Sequence, residues 1–168
     1  MTTAIEDFGA VITRPLCVAD ITLEKDAPIA LGRSPWRNRR VSYIGGGTVT
    51  GDRVRGVVCA GGGDWSELGV DEAGDALTLI DVRSLWRTHD DADIYVTYQG
   101  RLVIPKDVLG VFRNPDEVEC LDPQRYYFRV TPVFETADPR YGWLNRTVAI
   151  GLGRRTGAGV RYTIFEIC

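Results

Sequence analysis

Histidine is nearly missing from this sequence: His89 is the one imidazole in 168 residues. Zinc sites built on two or three imidazoles, and serine or cysteine triads with a histidine base, all fall back on that residue. It lies in RTHDDAD, whose composition reads as a solvent-exposed turn. A carboxylate-held Mg²⁺ or Ca²⁺ stays open, but DDAD lacks the EF-hand spacing with its sixth-position glycine and closing glutamate. Paired cysteines are lacking too. Cys17, Cys59, Cys120 and Cys168 are widely spaced with no CxxC, so they read as small core residues or a loose thiol, not as a disulfide frame or zinc site. No metal and no cofactor are expected.

Charge of one sign is also scarce. The 20 Lys and Arg against 23 Asp and Glu give a net charge of -3, without the clustered basic excess that nucleic-acid binding needs. The densest basic run, Arg37, Arg39 and Arg40, reads as a solvated strand or turn face. No apolar run reaches membrane-spanning length, and MTTAIEDFGAVITRP lacks a basic head, an apolar stretch and a small-residue cleavage site. A cytoplasmic protein without membrane partners is expected. GLGRRTG (Gly151–Gly157) imitates a dinucleotide fingerprint, but strands flank it, with no helix and no downstream ribose-binding acid. GGGTVTGD lacks the Lys-Ser/Thr ending of a P-loop, so Gly45, Gly46 and Gly47 read as a bend or bulge in a strand. Asn145-Arg146-Thr147 fits a glycosylation sequon, which counts as coincidence without a secretory signal.

Strand signals are abundant. Runs rich in Val, Ile, Thr and Tyr between Gly or Asp turns mark strands at 16–23, 39–49, 54–59, 76–88, 93–104, 126–136, 146–154 and 160–167. One helix is expected at 106–112 after Pro105, with a short turn at 139–144. Eight strands without βαβ alternation predict an all-β antiparallel barrel or sandwich, in a single domain over 1–168. Alternation in 76–88 puts Leu77, Leu79, Asp81, Arg83 and Leu85 on one face and Thr78, Ile80, Val82, Ser84 and Trp86 on the other. A barrel lumen can hold the Asp81–Arg83 charge pair, which favours the barrel. Periodicity alone does not say which face is inside. The stretch 105–125, with Pro115 and Pro123, reads as an excursion over a barrel end, a lid.

In VVCAGGGDWSELGV an apolar strand stops at Gly61, Gly62 and Gly63 and then presents Asp64 and Trp65. Three glycines permit a sharp turn and close backbone approach, so the chain is expected to fold there over a barrel mouth. Other polar and aromatic residues stand at strand ends: Tyr95 and Tyr98 in IYVTYQG, and Glu135, Tyr141, Trp143 and Asn145 in VFETADPRYGWLN. Carboxylates beside bulky aromatics are candidates for raised pKa values, since desolvation disfavours the ionised form, and an arginine nearby can receive a developing oxyanion. Each has a structural alternative. Asp64 can cap its own turn, Asp81 and Arg83 can neutralise each other, and Trp143 can plug a barrel end.

GGGDW (61–65), LIDVRSLWRTHDDADIYVTYQG (79–100) and FETADPRYGWLNRTVAIGLGRR (134–155), with the ending VRYTIFEI, resemble the signature blocks of the DUF3237 family, also called UPF0311. The resemblance implies a calycin-like β-barrel with one or two short helices. It also implies cofactor-free chemistry on small organic molecules, in catabolism or secondary metabolism. The blocks map onto Asp64, Trp65, Asp81, Arg83, Tyr98, Phe134, Glu135, Tyr141, Trp143, Leu144 and Asn145, while Trp86, His89 and the 105–125 insertion depart from the pattern.

The leading expectation is an acid–base enzyme, an isomerase, dehydratase (lyase) or cyclase, in which Asp64 or Glu135 moves a proton on a carbonyl-bearing substrate. Arg83, Tyr98 and Asn145 bind or polarise the oxygen, with Tyr95 and Tyr141 beside them, and Trp65 and Trp143 form apolar walls. The alternative is a barrel that carries or sequesters a small molecule unchanged. A homo-oligomer is expected if Trp36 and Trp86 face outward.

Overall fold

The computed structural model describes residues 9–168. Residues 1–8, and with them much of the stretch read for a leader, lie outside the described residues. Eleven strands follow in chain order: β1 (Thr13–Leu23), β2 (Ile29–Arg33), β3 (Asn38–Thr50), β4 (Gly56–Val58), β5 (Gly63–Asp64), β6 (Glu67–Val70), β7 (Ala76–Thr88), β8 (Asp93–Ile104), β9 (Tyr127–Glu135), β10 (Ala149–Arg155) and β11 (Gly159–Ile167). One short helix, α1 (Leu109–Arg113), and three 3-10 turns complete them.

Every pairing is antiparallel. The order runs β1-β11-β10-β9-β8-β7, then to β3 through β4, β5 and β6, and β3 returns to β1 from Val18↔Thr50 to Leu23↔Ile44. The result is a closed eight-strand barrel. Between β3 and β7 the wall is a single strand line broken in two places: β4, β5 and β6 each pair with β3 on one side and β7 on the other. Closure leaves no open sheet edge around the core.

Alternation fixes the inside. In β7, Thr78, Ile80, Val82, Ser84 and Trp86 are buried, and in β8 so are Ile94, Val96, Tyr98, Leu102 and Ile104. The lumen therefore takes the less charged face. Asp81 and Arg83 point outward and bridge each other at 3.1 Å, so the barrel is right but the lumen charge pair is corrected. An apolar face is the one worth burying, since each fully buried Val, Leu or Ile side chain contributes about 1.5–3 kcal/mol.

Gly61, Gly62 and Gly63 are likewise placed differently from expectation. They interrupt the wall between β4 and β5 and do not cross a barrel mouth. Gly62 has φ +74°, and a Cβ there would stand 2.4 Å from the carbonyl oxygen of Arg83, so only glycine lets the broken strand re-enter the wall against β7. β3 carries the bulge expected near Gly45: Thr22 pairs with Gly46 but Leu23 with Ile44.

β2, β5 and β6 fall outside the expected strands. β2 is exposed along its whole length and shows no alternation, and β5 is two residues long. After Pro105 a turn comes first, with Val108 N–H on the Pro105 carbonyl, so the helix starts at Leu109. The strand expected from Arg146 begins at Ala149, because Gly142–Arg146 is a 3-10 turn. No helix among the described residues is long and apolar enough to cross a membrane.

Candidate functional site

A cavity of about 480 Å³ opens at the barrel end where β1, β8 and β10 finish and β3, β7, β9 and β11 begin. Its inner wall is apolar, from Ile80, Val82, Leu102, Phe128 and Val160. Set into that wall are Arg40, Ser42, Asp64, Arg155 and Tyr162, while Phe112, Arg113 and Pro115 close over it from the 105–125 excursion. That excursion is tied to both sides of the opening. Lys106 N–H donates to Asp75 Oδ1 at 3.0 Å beside the β6–β7 turn, and Gly157 N–H in the β10–β11 turn donates to Glu119 Oε1 at 3.0 Å. Phe112 packs edge-on against Tyr126, with ring centroids 5.0 Å apart.

Strand register explains how Asp64 reaches the lumen. Ser42, Asp64, Val82 and Tyr98 pair in sequence across β3, β5, β7 and β8, so their side chains share one inward-facing level. Asp64 Oδ1 accepts the Asp81 backbone N–H at 3.1 Å, and Oδ2 accepts the hydroxyl of Ser66, a fully buried residue. Asp64 keeps partial exposure, and that surface faces the cavity. Burial pushes its carboxyl above the ordinary value, outweighing the hydrogen bonds from Ser66 and Asp81 and the charge of Arg40, which favour the carboxylate.

Two tyrosines complete the polar part. Tyr98 and Tyr162 are buried and stand edge-to-face with centroids 5.3 Å apart. Burial drives both phenols upward, and the Asp64 charge adds to it, so both stay protonated. Burial lowers the proton affinity of the guanidinium groups of Arg40 and Arg155, and Arg40 adds to the effect on Arg155. Arg155 is pinned: its guanidinium donates to the carbonyls of Thr156 and Gly159, and its N–H donates to Tyr126 Oη at 3.1 Å. Arg40 Nε is buried with no hydrogen-bond partner among the described residues.

Of the residues singled out in the sequence, Asp64 lines the cavity and Tyr98 stands next to it in the same level. The others are elsewhere. Arg83 is on the outer wall, 5.5 Å from the Trp65 ring centroid, and Trp65 follows inward-facing Asp64 and so turns outward. Glu135 and Tyr95 are exposed and paired with each other on the outer face.

Tyr141, Trp143 and Asn145 sit at the opposite end of the barrel. The Tyr141 hydroxyl donates to Asp90 Oδ1 at 2.9 Å, and Trp143 lies under the Arg53 guanidinium at 4.1 Å. Asn145 clamps Thr136, accepting its N–H at 2.8 Å and donating to its carbonyl at 2.9 Å. His89 is exposed in its turn. Trp36 is 91 % exposed but Trp86 is buried against Phe134, so the oligomer expectation keeps only one of its two tryptophans.

Sequence reading missed Arg40, Ser42, Ser66, Arg155 and Tyr162. A signal existed for the first two: alternation along β3 puts Arg40 and Ser42 on the face of buried Ile44.

The family model described as "Protein of unknown function (DUF3237)" matches residues 13–167. A UPF0311 protein of Clostridium acetobutylicum is 29% identical over 151 residues, covering 89% of this chain and 91% of that protein. A β-barrel-like protein from Acinetobacter baumannii superposes with a TM-score of 0.75 at 33% identity, over 95% of this chain and 97% of the other. An enzyme from Penicillium herquei superposes with a TM-score of 0.60 over 94% and 95% of the two chains. At 19% identity that likeness concerns the fold.

Proposed function

The chain belongs to the DUF3237 (UPF0311) family of β-barrel proteins, and from its cavity we propose a cofactor-independent acid–base enzyme acting on a small carbonyl-bearing organic molecule. The observation that carries this reading is Asp64: a carboxyl group facing a largely apolar cavity, held by two hydrogen bonds and favoured in its acid form by burial. In that form it gives a proton to a carbonyl or leaving hydroxyl oxygen. The carboxylate so formed takes a proton back from a carbon or an attacking hydroxyl, and the protein ends unchanged. Isomerisation, loss of water and ring closure all fit this balance, and a positioned acid–base group supplies about 10²–10⁴-fold. Tyr162, with Tyr98 behind it, offers a phenol to the same oxygen.

A second reading, a barrel that holds its ligand unchanged, draws on the outward placement of Glu135 and Arg83, which leaves Asp64 as the buried carboxylate of the cavity. Extract from the producing organism, incubated with wild type, Asp64→Asn and Glu135→Gln and read by untargeted mass spectrometry, separates the two. Acid–base catalysis gives isomers or water-loss products with wild type and Glu135→Gln, and a loss of about 10²–10⁴-fold with Asp64→Asn. Full turnover by Asp64→Asn defeats the proposal, and a compound retained unaltered by all three establishes the carrier.

A further inference from the structure

We propose that the cavity is built for a ligand bearing a carboxylate, which Arg40 and Arg155 hold while its apolar body lies against Leu102, Phe112 and Phe128. This deepens the reading of the cavity as the ligand site and does not depend on the chemistry of Asp64. Four cationic side chains line the cavity, Lys25, Arg40, Arg113 and Arg155, against two carboxylates, Glu24 and Asp64. The inner wall sets two guanidinium groups, Arg40 and Arg155, against the single carboxyl group of Asp64.

The three arginines act on one another as well as on any guest. At Arg40 burial is the largest influence, and the charge of Asp64 outweighs the repulsion from Arg113; at Arg155 burial and the repulsion from Arg40 act together, with Glu119 opposing them. A buried cation is retained where something pairs it. Arg155 meets this need partly with the backbone carbonyls of Thr156 and Gly159. Arg40 has the charge of Asp64 near it, but its buried Nε has no hydrogen-bond partner among the described residues. A guanidinium fork presents parallel N–H donors that match a carboxylate edge, which makes a planar anion the fitting guest. The position of Arg40 on β3, two residues before Ser42 and in the strand that also pairs with β5, places that donor on the same wall as Asp64. A carboxylate held there leaves the rest of the ligand within the apolar part of the 480 Å³ space.

The probes are 2-naphthoate and its neutral counterpart 2-naphthamide, titrated calorimetrically into wild type, Arg40→Gln, Arg40→Lys and Asp64→Asn. Wild type is expected to bind the carboxylate at least tenfold more tightly than the amide. Arg40→Gln is expected to lose most of that preference, Arg40→Lys to keep part of it, and Asp64→Asn to keep or strengthen it. Equal or weaker binding of the carboxylate by wild type, or no binding of it at millimolar concentration, overturns the proposal without reference to any variant. So does a preference that survives intact in a folded Arg40→Gln protein. Because Asp64→Asn retains the carboxylate preference if this inference holds, a failure of acid–base catalysis in that variant or its absence in wild type is read separately, from turnover.

Discussion

Asp64 receives two hydrogen bonds and is still pushed toward its acid form, which shows that desolvation outweighs them at this position. The sign of its pH dependence follows. Its folded-state pKa lies above the ordinary 3.8, so the acid form persists above that pH and disappears as pH rises through the raised value. A rate limited by proton donation from Asp64 therefore declines with rising pH, along a limb lying above pH 3.8, and a single-turnover pH profile measures it. The same shift acts on folding. Its stabilising contribution is complete below the unfolded value and is lost as pH rises through the folded one, so Asp64→Asn is expected to unfold at or above the wild-type temperature near neutral pH. That makes its loss of turnover interpretable as chemistry. Arg83 and Glu135 teach the opposite lesson, because residues of the right type adjacent in a recognisable motif face away from the cavity. Strand alternation narrowed their direction to two choices, and only the barrel selected one.

At the scale of the element, the broken wall strand is the feature that delivers the site. β4 and β5 occupy one line between β3 and β7, and the glycines between them let the chain leave that line and rejoin it with Asp64 facing inward. Gly62→Ala places a side chain at φ +74° and against the Arg83 carbonyl, so it is expected to destabilise the protein by about 1–3 kcal/mol from backbone strain alone, with the clash adding to that. Urea unfolding of the variant checks it, and a loss under 0.5 kcal/mol would mean that the wall relaxes around the new methyl. Much of the strand set was legible in sequence: β7 and β8 are long, alternating and bounded by turn residues. β5 was not, since two residues carry no period, and β2 was not, since exposure along its whole length removes the apolar alternation on which the signal rests.

For the whole molecule, the two barrel ends divide the labour. The end away from the cavity is closed by a polar network in which Glu166 meets Arg53 and Arg14, and Asp138 meets Arg140. The hydrogen bond from Arg53 holds the Glu166 carboxyl below its ordinary 4.5, with Arg14 helping, and Arg140 holds Asp138 down at about 2. Depressed values give stability that is present above the unfolded pKa and lost as pH falls through the folded one, so acid destabilisation is expected below about pH 4.5. Glu166→Gln should flatten that dependence, measured as the change in Tm between pH 6 and pH 3. An unchanged slope would move the acid sensitivity elsewhere.

By itself the sequence determined the all-β class, the family, the absence of a second imidazole and the presence of a glycine break before an aspartate. It did so because those properties are local in the chain: period-two patterning, composition and contiguous motifs. Only the tertiary structure decided which face of each strand is inside, which barrel end is open, and that Arg40, Asp64, Arg155 and Tyr162 share one cavity. Those residues come from β3, β5, β10 and β11, and what brings them together is closure of the barrel through β1, a long-range pairing that no local pattern encodes.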